Sequence, residues 1–182
     1  MTPNSSVFAF TLRARVKIST ISSDDAEKEN IESRTELDPH DNMVVVGKHS
    51  HVLNYNVQTA QVGPFTSTYN ALENVPIVDA AITHDCEMTV KTYLLICHNA
   101  LLINSMDHNL IPPFIMQEAN VVVNEVPKIQ STDPDVTHHS IWFPESRFRI
   151  PLSLRGILLY FVLRMPKRDE LLSSEVVLML TP

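Results

Sequence analysis

A short acidic turn is the part of the sequence best suited to chemistry. Residues 37–41 read Leu-Asp-Pro-His-Asp, and a β-branched run follows at residues 43–47. This order places the Asp38 carboxylate on a tight turn in front of a buried strand. When two such turns meet across a two-fold axis, their carboxylates cannot both ionise. They share a proton and polarise a water molecule against a carbonyl group, so a chain with one turn must dimerise.

The eight histidines raise the possibility of a metal site. His49 and His51 are predicted to lie on one side of a strand, and His84, His138 and His139 are further candidates. No acidic or cysteine partner stands at a helical ligand spacing, and the sequence has no H-E-x-x-H motif. We therefore interpret these histidines as surface polar residues and expect neither a metal nor a cofactor.

Other kinds of catalytic or binding site find little support. The sequence has no G-x-S-x-G nucleophile elbow, and only 3 glycines argue against a phosphate-binding loop. The formal net charge of −7 gives no general attraction to nucleic acid. We interpret a basic cluster beside Trp142 and Phe143 as a solvated face, which makes nucleic acid an unlikely partner; it consists of Arg147, Arg149, Arg155, Arg164, Lys167 and Arg168.

The composition is that of a soluble globular protein. The chain has 182 residues, of which 44% are hydrophobic and 19% charged, enough for one domain with a core. The first residues lack the pattern of a secretory signal, and the apolar run at 157–163 is too short to cross a bilayer. We expect a cytoplasmic protein with reduced Cys86 and Cys97, although antiparallel strands could bring these two into a disulfide.

The hydrophobic pattern predicts mostly short strands. They are expected at residues 7–18, 43–47, 51–57, 75–83, 91–98 and 121–126. Residues 19–35 are predicted as an exposed loop, 58–74 as a flap-like hairpin and 84–87 as a turn. One short helix is expected at 114–119, with Phe114, Ile115 and Met116 on its buried side. This pattern indicates an all-β barrel or sandwich.

The region after residue 126 differs from the rest. Strands are expected at 140–144, 148–152 and 175–182, an apolar stretch at 154–164, and a short helix at 166–171. Because the chain ends on an apolar run, we expect it to be a piece of a longer polypeptide. The predicted division is an N-terminal strand and linker at 1–35, a central domain at 36–126, and a spacer or extension at 127–182.

The central block resembles the retropepsin-like protease region in polyproteins of copia-type long-terminal-repeat retroelements. Family members carry Leu-Asp-Ser-Gly-Ala, or Leu-Asp-Ser-His-Ala-Asp, before a strand that ends in glycine; here the sequence reads Leu-Asp-Pro-His-Asp-Asn, and the strand ends at Gly47. A strand, an Asn-Ala-Leu step at 99–101, an Asn-Leu-Ile segment at 109–111 and the helix at 114–119 then follow in the order that the family shows.

The resemblance implies a mainly β fold with a closed barrel and one late helix. It implies that Asp38 is the catalytic residue of an aspartic endopeptidase and that residues 58–74 form the flap over the substrate. It assigns an apolar supporting loop behind the turn to Asn109, Leu110 and Ile111. The substrate would be a peptide or polyprotein, and the active form would be a homodimer.

Departures from the family pattern fall in the turn itself. The family's Ser or Thr after the aspartate hydrogen-bonds across the dimer, whereas Pro39 has neither a hydroxyl nor an N–H. His40 replaces the usual glycine, as in the variant lineage, and Asp41 adds a negative charge where the variant has alanine. We expect this charge to disturb proton sharing and the chain to be weakly active or inactive.

Two alternatives remain open. The chain could be a relic or domesticated domain that has lost catalysis and only binds a peptide or a partner protein. It could also be an unrelated β-rich binding module in which residues 37–47 match the family by chance. A structure with Asp38 buried beneath residues 109–111, rather than distant from them, would decide against the chance match.

Overall fold

The computed structural model describes residues 8–11, 33–63, 70–173 and 176–182. In this part of the chain the backbone forms thirteen strands and two short α-helices, so the predicted mainly β class is confirmed. The elements are β1 Phe8–Thr11, β2 Arg34–Leu37, β3 Val45–Val46, β4 His51–Gly63, β5 Leu72–Cys86, β6 Lys91–Leu102, β7 Asn109–Ile111, α1 Pro113–Glu118, β8 Val122–Asn124, β9 Ser140–Phe143, β10 Phe148–Pro151, β11 Ser153–Arg155, β12 Leu158–Val162, α2 Arg168–Ser173 and β13 Val177–Met179.

Ten of these strands form one sheet. Its path runs β1-β4-β5-β6-β3-β7-β2-β12-β11, and β13 pairs with β6 beside that path. The other three strands form a small antiparallel sheet in the order β10-β9-β8. The two sheets share one core, which includes Val78 and Leu95 of the large sheet and Ile141 and Ile150 of the small one.

The expectation of a closed barrel is wrong for the described strands. The path through the large sheet is open, with β1 at one end and β11 at the other. A barrel needs an unbroken ladder around its circumference, which removes every edge. Here a single isolated bridge, between Thr83 of β5 and Arg164 just after β12, connects distant parts of the path.

The central hairpin is longer than the sequence pattern predicts. Its turn lies at residues 87–90, so His84, Asp85 and Cys86 extend β5 where a turn was expected at 84–87. Distant partners account for the difference. The backbone of Thr83 exchanges two hydrogen bonds with Arg164, at 3.0 and 2.9 Å, and the Arg164 guanidinium binds the Asp85 carboxylate. These contacts hold residues 83–85 extended.

Several predicted segments extend beyond the described residues. Of the strand expected at 7–18, residues 8–11 are described and pair in parallel with β4. The tip of the expected flap, at 64–69, lies outside the described residues, while β4 and β5 lead towards it as far as Gly63 and from Leu72. Ser33 and Thr35 are buried and Arg34 is partly buried, rather than part of an exposed loop, because β2 lies between β7 and β12.

The region predicted as a spacer supplies strands to the main sheet. β12 pairs antiparallel with β2, placing Leu159 opposite Leu37. β13 pairs in parallel with β6, and the chain then continues along the same edge as the Leu180 N–H donates to the Ile96 carbonyl at 2.8 Å. Residues 36–126 and 127–182 therefore share backbone ladders as well as a core.

The helix at the expected place, α1, begins at Pro113, which is favoured in the first helical turn. Met116 is fully buried and Ile115 packs partly against the core, as expected, but Phe114 is 45% exposed. A helix of six residues can turn only a narrow face towards the core. Three consecutive residues span most of its circumference, so one of them must point outwards.

Both cysteines are free and buried. They lie on neighbouring antiparallel strands, but Cys86 is opposite Lys91 and Cys97 is opposite Ala80. This register separates the two thiols along the ladder, so the disulfide that the sequence left open does not form. Burial raises the pKa of the Cys97 thiol to about 12, which keeps it protonated and unreactive at neutral pH.

Gly47 ends the segment that contains β3, and the backbone of residues 106 and 108 passes very close to its Cα. A Cβ atom at this position would lie 2.4 Å from the Met106 carbonyl oxygen and 2.9 Å from that of His108. Both obstacles are backbone atoms, which cannot move away as a side chain can. The glycine at the end of this segment therefore has a steric cause in this chain.

We predict that Gly47→Ala lowers the free energy of unfolding by about 2 kcal/mol or more, since backbone must shift to admit the methyl group. Urea denaturation followed by fluorescence measures the change. The matched control is Gly156→Asn: Gly156 has a φ of +64° and nothing near its Cβ position, and asparagine tolerates this conformation. Equal effects of the two substitutions would contradict the steric explanation.

Candidate functional site

The acidic turn begins where β2 ends. β2 pairs in parallel with β7, with Leu37 opposite Ile111, and the next N–H, that of Asp38, donates to the Ile111 carbonyl at 3.2 Å. Leu37 is buried in the main core and Asp38 is half-buried at the surface. The strand pairing thus fixes the backbone from which the Asp38 carboxylate projects.

Residues 38–41 form a hydrogen-bonded β-turn. The Asp41 N–H donates to the Asp38 carbonyl at 3.4 Å, and the His40 N–H donates to Oδ1 of Asp38 at 3.0 Å. Pro39 occupies the second position, where its fixed φ suits the turn, and aspartate is favoured at the first. Pro39 and His40 are exposed, so the tip of the turn is open to solvent or to a partner.

Asp41 lies differently from the two residues before it. Its side chain is only 3% exposed, although the sequence suggested a charge standing beside the candidate carboxylate. Asp41 closes the β-turn through its N–H and is buried, while Asp38 stays half-buried at the surface. The two carboxylates of the turn therefore have different environments.

Asn109 braces the turn from behind. Its side chain is buried, and its Oδ1 accepts hydrogen bonds from the Gly47 N–H at 2.8 Å and from the Ser50 hydroxyl at 3.1 Å. Its Nδ2 donates to the Thr35 hydroxyl at 3.4 Å. One amide thereby links β2, β7 and the end of the segment that contains β3.

Leu110 and Ile111, the other two residues of the predicted supporting loop, follow Asn109 in β7. Ile111 is fully buried in the main core, and Leu110 is buried in a second cluster with Val45. β7 pairs with β2 on one side and β3 on the other. The structure therefore brings together all the predicted site residues: Leu37, Asp38, Pro39, His40, Asp41, Asn109, Leu110 and Ile111.

The sequence did not point to Thr35, Gly47 and Ser50 as partners of Asn109. A signal existed in the Asn-Leu-Ile segment, because a polar residue that starts a buried strand needs hydrogen-bond partners. The identity of those partners depends on contacts 59 to 74 residues apart in the chain. The local sequence pattern around residue 109 does not indicate which distant residues will be these partners.

A second candidate is a groove of about 750 Å³ at the other end of β2, lined among others by Ser33, His84, Glu87, Phe161 and Arg164. Nδ1 of His84 donates to the Val162 carbonyl at 3.0 Å, and the ring lies about 6 Å from those of Phe148 and Phe161. Burial is the main influence on His84 and lowers its pKa, so the imidazole is neutral at pH 7.

An ion-pair cluster stands beside this groove. The Arg164 guanidinium makes two hydrogen bonds to Asp85, at 2.6 and 2.9 Å, and two to Glu170, at 2.6 and 2.8 Å. Hydrogen bonds from Arg164 are the main reason why the pKa values of both carboxyls lie below their ordinary values. The cluster ties α2 and the end of β12 to β5.

The candidate metal ligands are dispersed. His51 begins β4 but His49 lies in the preceding turn, so the two do not share one side of a strand. Within the described ranges, no group of three or more His, Cys, Asp and Glu side chains is arranged to hold a metal ion. In the same residues, no helix has the length and apolar character that crossing a bilayer requires.

Two of the basic residues considered for nucleic acid have partners within the chain. The Arg149 guanidinium lies 4.6 Å from the centre of the Trp142 ring and donates to the Ser140 hydroxyl at 2.7 Å. Arg164 binds Asp85 and Glu170. These contacts account for two of the six residues, and the interpretation of the cluster as a solvated face stays a prediction.

Comparison with protein-family models, with curated proteins and with solved structures found no match for the chain.

We predict that Asn109→Ala lowers the free energy of unfolding by about 2–3 kcal/mol, because it leaves the Gly47 N–H and two hydroxyls buried without their partner. The control is Asn104→Ala, at an exposed turn position, with an expected effect below about 0.5 kcal/mol. Chemical denaturation of both variants gives the comparison. A cost at Asn109 no larger than at Asn104 would show that the amide does not brace the turn.

The Arg164 cluster predicts a specific dependence of stability on pH. Since the pKa values of Asp85 and Glu170 are lowered on folding, their stabilisation is present above about pH 4.5 and is lost as the pH falls through the lowered values. Arg164→Met should therefore cost about 1 kcal/mol at pH 7 and much less at pH 2.5. Arg168→Met, at an exposed site, should have little effect at either pH.

Proposed function

We propose that this chain is a retropepsin-like domain derived from a copia-type polyprotein, with aspartic endopeptidase cleavage as its ancestral reaction. One observation carries the proposal: the acidic turn is attached to the Asn-Leu-Ile strand by the hydrogen bond from the Asp38 N–H to the Ile111 carbonyl. The resemblance requires this contact between segments more than 70 residues apart. A chance match of residues 37–47 gives no reason to expect it.

The order of the elements also supports the proposal. The acidic turn follows β2 and leads through β3 into a long hairpin of β4 and β5, whose tip is where the family has its flap. β6, the short buried β7 and α1 then follow in the family's order. The open sheet path departs from the closed barrel that the resemblance implies, and residues 127–182, expected as a spacer or extension, add strands to the sheet.

In the proposed reaction, Asp38 from each of two protomers forms a carboxyl pair. One member holds a proton and the other is ionised, so that together they polarise a water molecule and hydrogen-bond to the peptide carbonyl. The exposed tip formed by Pro39 and His40 leaves room for a second turn to approach. The substrate would be a peptide or polyprotein inside the cell, and the reaction uses no cofactor.

The same turn limits the proposed activity. Pro39 supplies no hydroxyl to hold the two carboxyl groups coplanar across the dimer. Asp41 adds a second carboxyl group to each turn, where the variant lineage has alanine. We therefore propose weak or absent peptidase activity. The non-catalytic alternative is a domain that retains this fold and only binds a peptide or partner protein, and Pro39 and Asp41 favour it.

We predict that the unmodified chain cleaves a mixed peptide library slowly or not at all, and that Pro39→Ser with Asp41→Ala gains cleavage. The serine restores the hydroxyl and the alanine removes the extra carboxyl group from the turn. Cleavage is measured by mass spectrometry between pH 4 and 7, with and without pepstatin. Size-exclusion chromatography with light scattering on the same samples measures dimer formation.

The control adds Asp38→Asn to the double variant. Asparagine retains the shape of the side chain but cannot share a proton, so the gained activity should disappear. Rapid, pepstatin-sensitive cleavage by the unmodified chain would disprove the predicted weak activity while supporting the family. A folded, dimeric double variant without activity would favour the binding domain.

A further inference from the structure

The loop between a 3-10 helix at Lys128–Gln130 and β9 holds three side chains in the order of a nucleophile, a base and an orienting acid. The Ser131 hydroxyl lies 3.2 Å from Nε2 of His138, and Nδ1 of that imidazole lies 2.9 Å from Oδ1 of Asp135. These distances are those of an activated serine. We propose that Ser131 is a nucleophile that accepts acyl groups from small activated esters.

The acid in this arrangement is well placed to orient the imidazole. Oδ1 of Asp135 also accepts hydrogen bonds from the N–H and the hydroxyl of Thr137, at 2.7 and 2.6 Å. These bonds, with a smaller contribution from His138, lower the pKa of Asp135 to about 2. The carboxylate is therefore ionised throughout the neutral range and can hold a proton on the facing nitrogen of His138.

The tautomer follows from these contacts. The Asp135 N–H also lies 3.2 Å from Nδ1 of His138, which would suit an unprotonated nitrogen. The contact with the carboxylate is shorter, at 2.9 Å, and charged, so it decides in favour of a proton on Nδ1. Nε2 then carries the lone pair and accepts the Ser131 hydroxyl proton.

Backbone contacts hold the three side chains in position. The Ser131 N–H donates to the Lys128 carbonyl at 3.2 Å, and the Asp133 N–H donates to the Ser131 hydroxyl oxygen at 3.3 Å. At the other end, the Ser140 hydroxyl donates to the Thr137 carbonyl at 2.9 Å. Ser131 and His138 are half-buried, so the hydroxyl is both positioned and accessible to a small reagent.

The reaction proceeds in two balanced steps. Oγ of Ser131 forms a bond to the acyl carbon while its proton passes to Nε2 of His138, and the bond to the leaving oxygen breaks as that oxygen takes the proton. Water then attacks the acyl carbon and gives a proton to Nε2. Collapse of this intermediate releases the carboxylic acid and returns the proton to Oγ.

An imidazole base of this kind accelerates such a reaction by about 10²–10⁴-fold. The candidate triad lies on an exposed loop, which compact aryl esters and phosphonyl fluorides can reach. The sequence signal is a serine, an aspartate and a histidine within eight residues of a polar connector. A search for a glycine-flanked nucleophile elbow does not find it.

The test treats the purified chain with a fluorophosphonate probe and, separately, with p-nitrophenyl acetate. Mass spectrometry should locate the phosphonyl group on Ser131, and Ser131→Ala should abolish both the label and the ester hydrolysis. Ser105, on an exposed turn, serves as the internal reference serine. Labelling of Ser131 no faster than that of Ser105 would overturn the proposal.

A second variant separates chemistry from loop structure. His138→Gly should slow labelling of Ser131 at least tenfold, and added imidazole should restore a large part of the rate by replacing the missing base. Circular dichroism and thermal unfolding establish that the variant is folded. The proposal is wrong if Ser131 of a folded His138→Gly protein is labelled at the original rate, or if imidazole does not restore the rate. In that case the three side chains only stabilise the loop.

Discussion

The buried amide of Asn109 is the interaction on which the candidate site depends. From β7 it reaches β2 through Thr35, and the end of the segment containing β3 through Gly47 and the nearby Ser50. A polar group buried in this way is costly unless it is hydrogen-bonded, so the three segments can approach only in the arrangement that satisfies it. The close backbone contact at Gly47 follows from that arrangement. The acidic turn directly follows β2, so the pairing of β2 with β7 fixes its position.

Local pattern predicted most of the elements because most of them are locally determined. Runs of β-branched residues identified β3 and β8, an apolar run identified β6, and the proline before a short apolar segment identified α1. Pairing partners could not be predicted in the same way. Nothing in residues 158–162 marks them as neighbours of β2, because a ladder between strands so distant in sequence is chosen by packing in the whole fold. For this reason the last third of the chain looked like a separate extension, although β11, β12 and β13 lie in the main sheet.

The candidate site shows the same division between local and distant information. The β-turn at residues 38–41 is encoded by its own residues, since aspartate and proline favour its first two positions. Its attachment to Ile111, the burial of Asp41 and the hydrogen bonds of Asn109 all require the folded chain. The displaced turn at 87–90 has a similar origin, because the ion pair of Asp85 with Arg164 and the bridge at Thr83 favour an extended backbone over a local turn preference.

Pro39 separates the stability of the turn from the chemistry proposed for it. Proline restricts the unfolded chain and suits the second position of a β-turn, so it stabilises the conformation that presents the Asp38 carboxylate. The same residue has no hydroxyl and no N–H, so it can donate no hydrogen bond to a second turn. The His40 N–H bond to Asp38 needs only the turn geometry, and it is retained. A chain can therefore keep the shape of this turn under selection for folding alone, while the group that would align two carboxyls is absent.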